Sequence, residues 1–177
     1  MWIVEDYLKS YEENLNNISK NFDTEAIGIV VSKFNELKLI LSYLNKFPFQ
    51  HDLRLKNLRD RVKRLDQRFI KMVSENSEGY LNAIEHDLIR LLNKYEAYLK
   101  YLFKNDPESY LQLLETRDRI QYELMELKGK RDSLKLEKRL EAIDQILRAN
   151  AKEVLEKYGE AALPFPMPEQ FWWRKLK

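Results

Sequence analysis

Apolar side chains recur along most of this chain at intervals of three and four residues. Val4, Leu8, Tyr11, Leu15, Ile18 and Phe22 make the first such run, and that spacing predicts the buried stripe of an amphipathic helix. Asn21 to Thr24 reads as a turn, with Asp23 or Thr24 capping a second helix. The second stripe is Ile27, Val30, Phe34, Leu37, Leu41 and Leu44. Phe47-Pro48-Phe49 ends it, because the residue before a proline is pushed out of the α region. Asp52 is placed to cap a third helix on Leu55, Leu58, Val62, Leu65, Phe69 and Met72, and the polar run Ser74 to Gly79 reads as a loop. A fourth helix carries Leu81, Ile84, Leu88, Leu91, Tyr95, Tyr98 and Leu102.

Asp106-Pro107-Glu108 marks the sharpest boundary. The aspartate is a good N-cap, the proline suits the first helical position and the glutamate complements the helix dipole. Beyond it the stripe is Leu113, Ile120, Leu124, Leu127 and Leu134, interrupted by Arg117 and Arg131. After Gly129 the phase shifts to Leu136, Leu140, Ile143, Leu147, Ala151 and Val154, and Gly159 is placed to close the last turn. Two arrangements fit residues 107–158: one helix of about 78 Å, or a hairpin broken at Gly129. The single helix is the preferred expectation, because Lys128-Gly129-Lys130-Arg131 contains one breaker.

Composition supports helix throughout. Leucine occurs 28 times, against six valines and two threonines, so a sheet lacks its β-branched raw material. The expected fold is all-α: an antiparallel helical bundle, or elongated coiled-coil-like helical hairpins, over residues 1–159. A proline-rich aromatic tail follows over 160–177. In that tail Pro164, Pro166 and Pro168 alternate with other residues, which favours an extended path. One helical turn over Glu169 to Arg174 is expected after Pro168.

Net charge is +2, with 31 basic and 29 acidic residues, so bulk charge demands neither nucleic acid nor an acidic partner. The absence of cysteine excludes a disulfide scaffold and a thiolate metal site. No run approaches the roughly 18 to 20 apolar residues that span a bilayer, and Glu5 and Asp6 stand where a signal peptide carries basic residues. A cytoplasmic protein without membrane contact is expected.

Residues that would carry chemistry are sparse. The two histidines, His51 and His86, cannot make the paired Glu-x-x-His set of a helical metal centre. Gly28, Gly79, Gly129 and Gly159 are scattered, so no glycine-rich phosphate loop exists. Nothing resembles a nucleophile elbow. No catalytic residue, metal ligand, cofactor site or small-molecule substrate is expected.

Two features suggest binding. Between Asp52 and Ser74 stand eight basic and three acidic residues. Arg54, Arg61 and Arg68 share one heptad position beside the core seam, and Arg64 and Lys71 lie about 40° further round. Such a ridge can follow a phosphate backbone, or pair with a neighbouring acidic helix, for which 106–128 offers six acids against three bases. The second feature is the tail load of Phe165, Met167, Phe171, Trp172 and Trp173. These rings either strap back across the helices or dock on a partner. Trp172 and Trp173 are adjacent and cannot share one face, so Phe171 and at least one tryptophan are expected to be buried. The function expected is that of a non-enzymatic adaptor or assembly subunit, with a protein partner or a second copy. The alternative is a nucleic-acid-binding subunit that uses the ridge.

Overall fold

A computed structural model describes residues 2–18, 22, 24–44, 53–102, 107–159 and 168–176. Among these residues 89% are helical and none lies in a strand. The helices are α1 (Trp2–Asn17), α2 (Thr24–Leu44), α3 (Leu53–Glu75), α4 (Ser77–Leu102), α5 (Pro107–Leu127), α6 (Leu134–Ala149) and α7 (Ala151–Tyr158), followed by one 3-10 turn at Trp172–Lys175. The chain divides into two compact units, Met1–Ile84 and Glu85–Lys177.

In the first unit most of the expected stripe positions are the core, while Leu41 and Leu44 of α2 and Leu65 and Met72 of α3, expected on the stripes, are half-buried. Every member of the α1 stripe is buried, as are Ile27, Val30, Phe34 and Leu37 of α2 and Leu55, Leu58, Val62 and Phe69 of α3. Aromatic edges hold the centre. Phe34 meets Phe69 edge-on at 5.3 Å, and Phe69 and Phe22 each meet Tyr80 in the first turn of α4. Glu5 near the start of α1 reaches Arg61 of α3, Tyr11 reaches Asp66 and Asn16 near its end reaches Arg68, so these two helices run parallel.

The loop expected at Ser74 to Gly79 shrinks to a bend at Asn76. The Asn76 side chain accepts the Gly79 N–H at 3.0 Å, and its backbone carbonyl accepts the Tyr80 N–H. The asparagine therefore satisfies one orphan donor of α4 with its side chain and accepts the first intrahelical bond with its carbonyl, and a longer loop is unnecessary. A Cβ on Gly79 would lie 2.5 Å from that amide, so the cap needs glycine there.

In the second unit α5 and α6 form a hairpin, and the long helix preferred for 107–158 is corrected. Gly129 takes a φ of 77°, and the N–H groups of Lys130 and Arg131 fold back on the Leu127 carbonyl. A left-handed glycine is sufficient to end a helix. Asp132 then accepts the Leu134 N–H and starts α6. Leu134, expected on the stripe, is 54% exposed as a result. Gly159 closes α7 at a φ of 72°, where a closing glycine was expected. Lys157 and Tyr158 of α7 donate to the carbonyl of Leu102, satisfying an orphan acceptor at the end of α4.

The expected caps Asp52 and Asp106, the terminator Phe47-Pro48-Phe49, and the tail residues 160–167 lie outside the described residues. No described helix is long and apolar enough to cross a membrane.

Candidate interaction site

Part of the α3 ridge is taken up by α1. Arg61 donates to Glu12 at 2.8 Å and reaches Glu5 at 3.5 Å. Arg68 donates to the side-chain amide oxygen of Asn16. Lys71 lies 3.8 Å from Glu75 of its own helix. Arg64, Arg68 and Lys71 are exposed and Arg61 is half-buried, while the Arg54 side chain lies outside the described part. The acids that answer the ridge thus come from α1 for Arg61 and from α3 itself for Lys71. Of those anticipated in α5, Asp118 and Glu123 are engaged inside the second unit.

The opposite flank of α3 carries a feature that the stripe reading did not isolate. Arg59, Val62, Lys63, Asp66, Gln67 and Ile70 repeat at three and four residues and line one side of an open groove of about 560 Å³; Lys38, Leu41 and Ser42 of α2 line the other. Its apolar strip is Leu41, Val62 and Ile70, and Ile70 is 57% exposed. Among the described residues of the lining, the cations are Lys38, Arg59 and Lys63 and the acid is Asp66. That acid is already engaged, since the Tyr11 hydroxyl of α1 donates to it at 3.1 Å. Burial pushes the Asp66 carboxyl above its ordinary value, with the Tyr11 hydroxyl and the Lys38 charge pulling the other way. The groove therefore presents an apolar floor with a positive rim. The sequence signal was present in Ile70, an isoleucine out of phase with the Leu55 to Met72 stripe.

The described part of the tail straps onto its own unit. Phe171 and Trp173 are buried, and Trp172 is half-buried. Phe171 packs on Tyr122 of α5 at 5.2 Å between ring centroids. The Trp173 indole N–H donates to Asp118 at 2.7 Å, and Arg174 donates to the same carboxylate at 3.0 Å. The guanidinium of Arg117 lies 3.7 Å from the Trp173 ring centroid, and that of Arg148 lies 4.2 Å from Trp172. Adjacent tryptophans find two surfaces, as their opposed directions demand. Phe165 and Met167 lie outside the described residues.

The second unit also seals a carboxyl pair. Asp87 of α4 accepts from Arg90 at 2.7 Å and from Arg119 at 2.7 Å, and Glu123 of α5 sits beside it with Arg119 4.0 Å away. Both acids are fully buried. Burial first, and then the Asp87 charge, hold the Glu123 carboxyl well above the ordinary glutamate range, against the pull of Arg119 and Arg90. Protonated Glu123 can donate to Asp87. Because neither carboxyl meets solvent, the pair belongs to the interior. His86 is exposed on α4, and His51 lies outside the described residues.

No family model matches this chain, and no curated protein or solved structure matches it.

Proposed function

We propose that the chain is a non-enzymatic helical interaction subunit, an adaptor or assembly component of the cytoplasm, built from short helical bundles, that binds a protein partner on the α2–α3 face of its first unit. The observation that carries this reading is the groove floored by Leu41, Val62 and Ile70. An apolar strip between two helices, with an isoleucine left more than half exposed, is the surface on which helical segments dock. Two features direct attention to this face. The described tail rings are occupied within the second unit, and the charge of Arg61 is taken up by α1.

A nucleic-acid-binding subunit is the second reading, favoured by the exposure of Arg64, Arg68 and Lys71 along one ridge. The two readings separate in an affinity capture from the native host, run with and without nuclease and across a salt series. A protein partner retained after nuclease treatment and at about 200 mM salt supports docking. Loss of all bound material after nuclease, with a steep fall over ~50 to 200 mM salt, supports a phosphate contact instead.

A further inference from the structure

Resting on the docking reading, we propose that the occupant of the α2–α3 groove is an acidic amphipathic helix of another protein. The groove runs along two facing helices, and on α3 its lining steps from Arg59 to Ile70 at helical spacing. Val62 is buried and closes the floor from beneath, so the apolar surface open to a partner is Leu41 on the α2 wall and Ile70 on the α3 wall. Apolar side chains on both walls of a groove between two helices suit the apolar stripe of a third. Tyr11 of α1 reaches Asp66 from behind the groove. Since α1 packs on one side of the α2–α3 pair, an incoming helix would pack on the other, seated between two ridges as helices pack in bundles.

Charge selects the class of helix. Lys38, Arg59 and Lys63 lie around the strip, on both walls. Among the described residues the one acid of the lining, Asp66, takes a hydrogen bond from Tyr11 and is partly buried. A partner presenting lysines here would meet the like charges of the exposed Lys38 and Lys63, one on each wall, whereas aspartates and glutamates flanking its apolar stripe would meet opposite ones. A nucleic acid satisfies the cations but not the floor, because phosphate and sugar leave Leu41 and Ile70 without apolar cover. A second copy of this chain would have to offer a helix that is both acidic and apolar-faced. The acidic α1 has its apolar stripe, Val4 to Leu15, already buried, and on the acidic α5 the exposed apolar side chains Leu111 and Met125 stand about four turns apart and make no continuous stripe.

The test places the photo-crosslinking amino acid p-benzoylphenylalanine at position 70 of the full chain in its native host, with the same substitution at position 64 as an off-groove control. Cross-linked peptides are sequenced after irradiation. The expected adduct at position 70, absent at 64, joins a segment of another protein with Leu, Ile, Val or Phe at helical spacing and Asp or Glu beside them. Its yield should fall about tenfold when Lys38→Glu and Lys63→Glu are introduced together. Both lysines are exposed, so the fold tolerates the change, and circular dichroism checks it. A neutral or basic partner segment overturns the acidic-helix inference and leaves groove docking standing, as does a segment of a second copy. A nucleic-acid adduct, or no adduct specific to position 70, overturns both.

Discussion

Arg117 of α5 and Asp144 of α6 form a two-pronged ion pair, Nε to Oδ1 and Nη2 to Oδ2, each at 2.9 Å, with side chains 4% and 3% exposed. Tyr95 of α4 donates to the same Oδ1 at 2.9 Å, and the Trp173 ring covers the guanidinium. One buried carboxylate thus ties three helices together beneath the tail. The arginine that interrupts the apolar stripe of α5 is there because α6 returns an acid to meet it. Burial pushes the Tyr95 phenol up, and the Asp144 charge beside it acts in the same direction.

Breaking this pair from one side leaves a buried charge alone. Asp144→Ala should cost about 3 to 5 kcal/mol, whereas the triple change Arg117→Met, Asp144→Leu and Tyr95→Phe, which removes the buried carboxylate together with both of its donors, should recover most of that loss. Thermal denaturation of the two variants checks it. A triple variant as unstable as the single one would mean that the pair is irreplaceable by packing.

The strap should contribute comparably. Trp173→Ala removes a buried indole and should cost about 3 to 5 kcal/mol. Trp172→Ala, at a half-buried position over Arg148, should cost about 1 kcal/mol or less. Asp118→Ala strands the indole N–H and the Arg174 guanidinium together, and should approach the Trp173 loss. Urea unfolding of the three variants orders them.

The sealed acid makes a pH-dependent contribution of definite sign. Glu123 binds its proton more tightly in the folded chain than in the unfolded one, whose ordinary value is 4.5. The stability it confers is fully present below that value, declines as pH rises above it, and is lost once pH passes the folded-state value. Glu123→Gln keeps a donor for Asp87 and removes the titration. The variant should show a flatter fall of melting temperature over about pH 5 to 8 than the parent. An identical slope in both would mean that Glu123 is ionised in the fold.

Gly129→Ala isolates a backbone effect. At a φ of +77° a side chain is strained, although nothing lies within 4 Å of the added Cβ. The expected cost is about 1 kcal/mol, measured by denaturant midpoint. An unchanged midpoint would mean that the α5–α6 turn does not depend on the left-handed residue.

Helix existence was readable almost everywhere, because a leucine-rich chain with so few β-branched residues leaves the stripe as the main signal. Connections were not. The Ser74 to Gly79 run looked like a loop on polarity alone, yet Asn76 needs only its own side chain to start α4. At Gly129 the single breaker understates the turn, because one positive φ reverses the chain. Heptad position groups the ridge residues on α3, but which acids meet them depends on which helices become neighbours, and local pattern does not carry that. The groove escapes the stripe for a related reason. Val62 reads as core in one heptad frame, and only the packing of α2 shows that the next flank, through Ile70, stays open.

Once a captured partner is in hand, the most direct measurement is its dissociation constant for three chains: the parent, Ile70→Asp, and the ridge variant Arg64→Glu/Arg68→Glu/Lys71→Glu. All four changed residues are exposed, so folding should change by no more than about 0.5 kcal/mol at each. Groove docking predicts a loss of about thirtyfold or more for Ile70→Asp, the scale of a hot-spot residue, with the ridge variant within about threefold of the parent. The opposite order, with binding intact in Ile70→Asp and abolished in the ridge variant, would contradict the groove and place the function on the basic ridge.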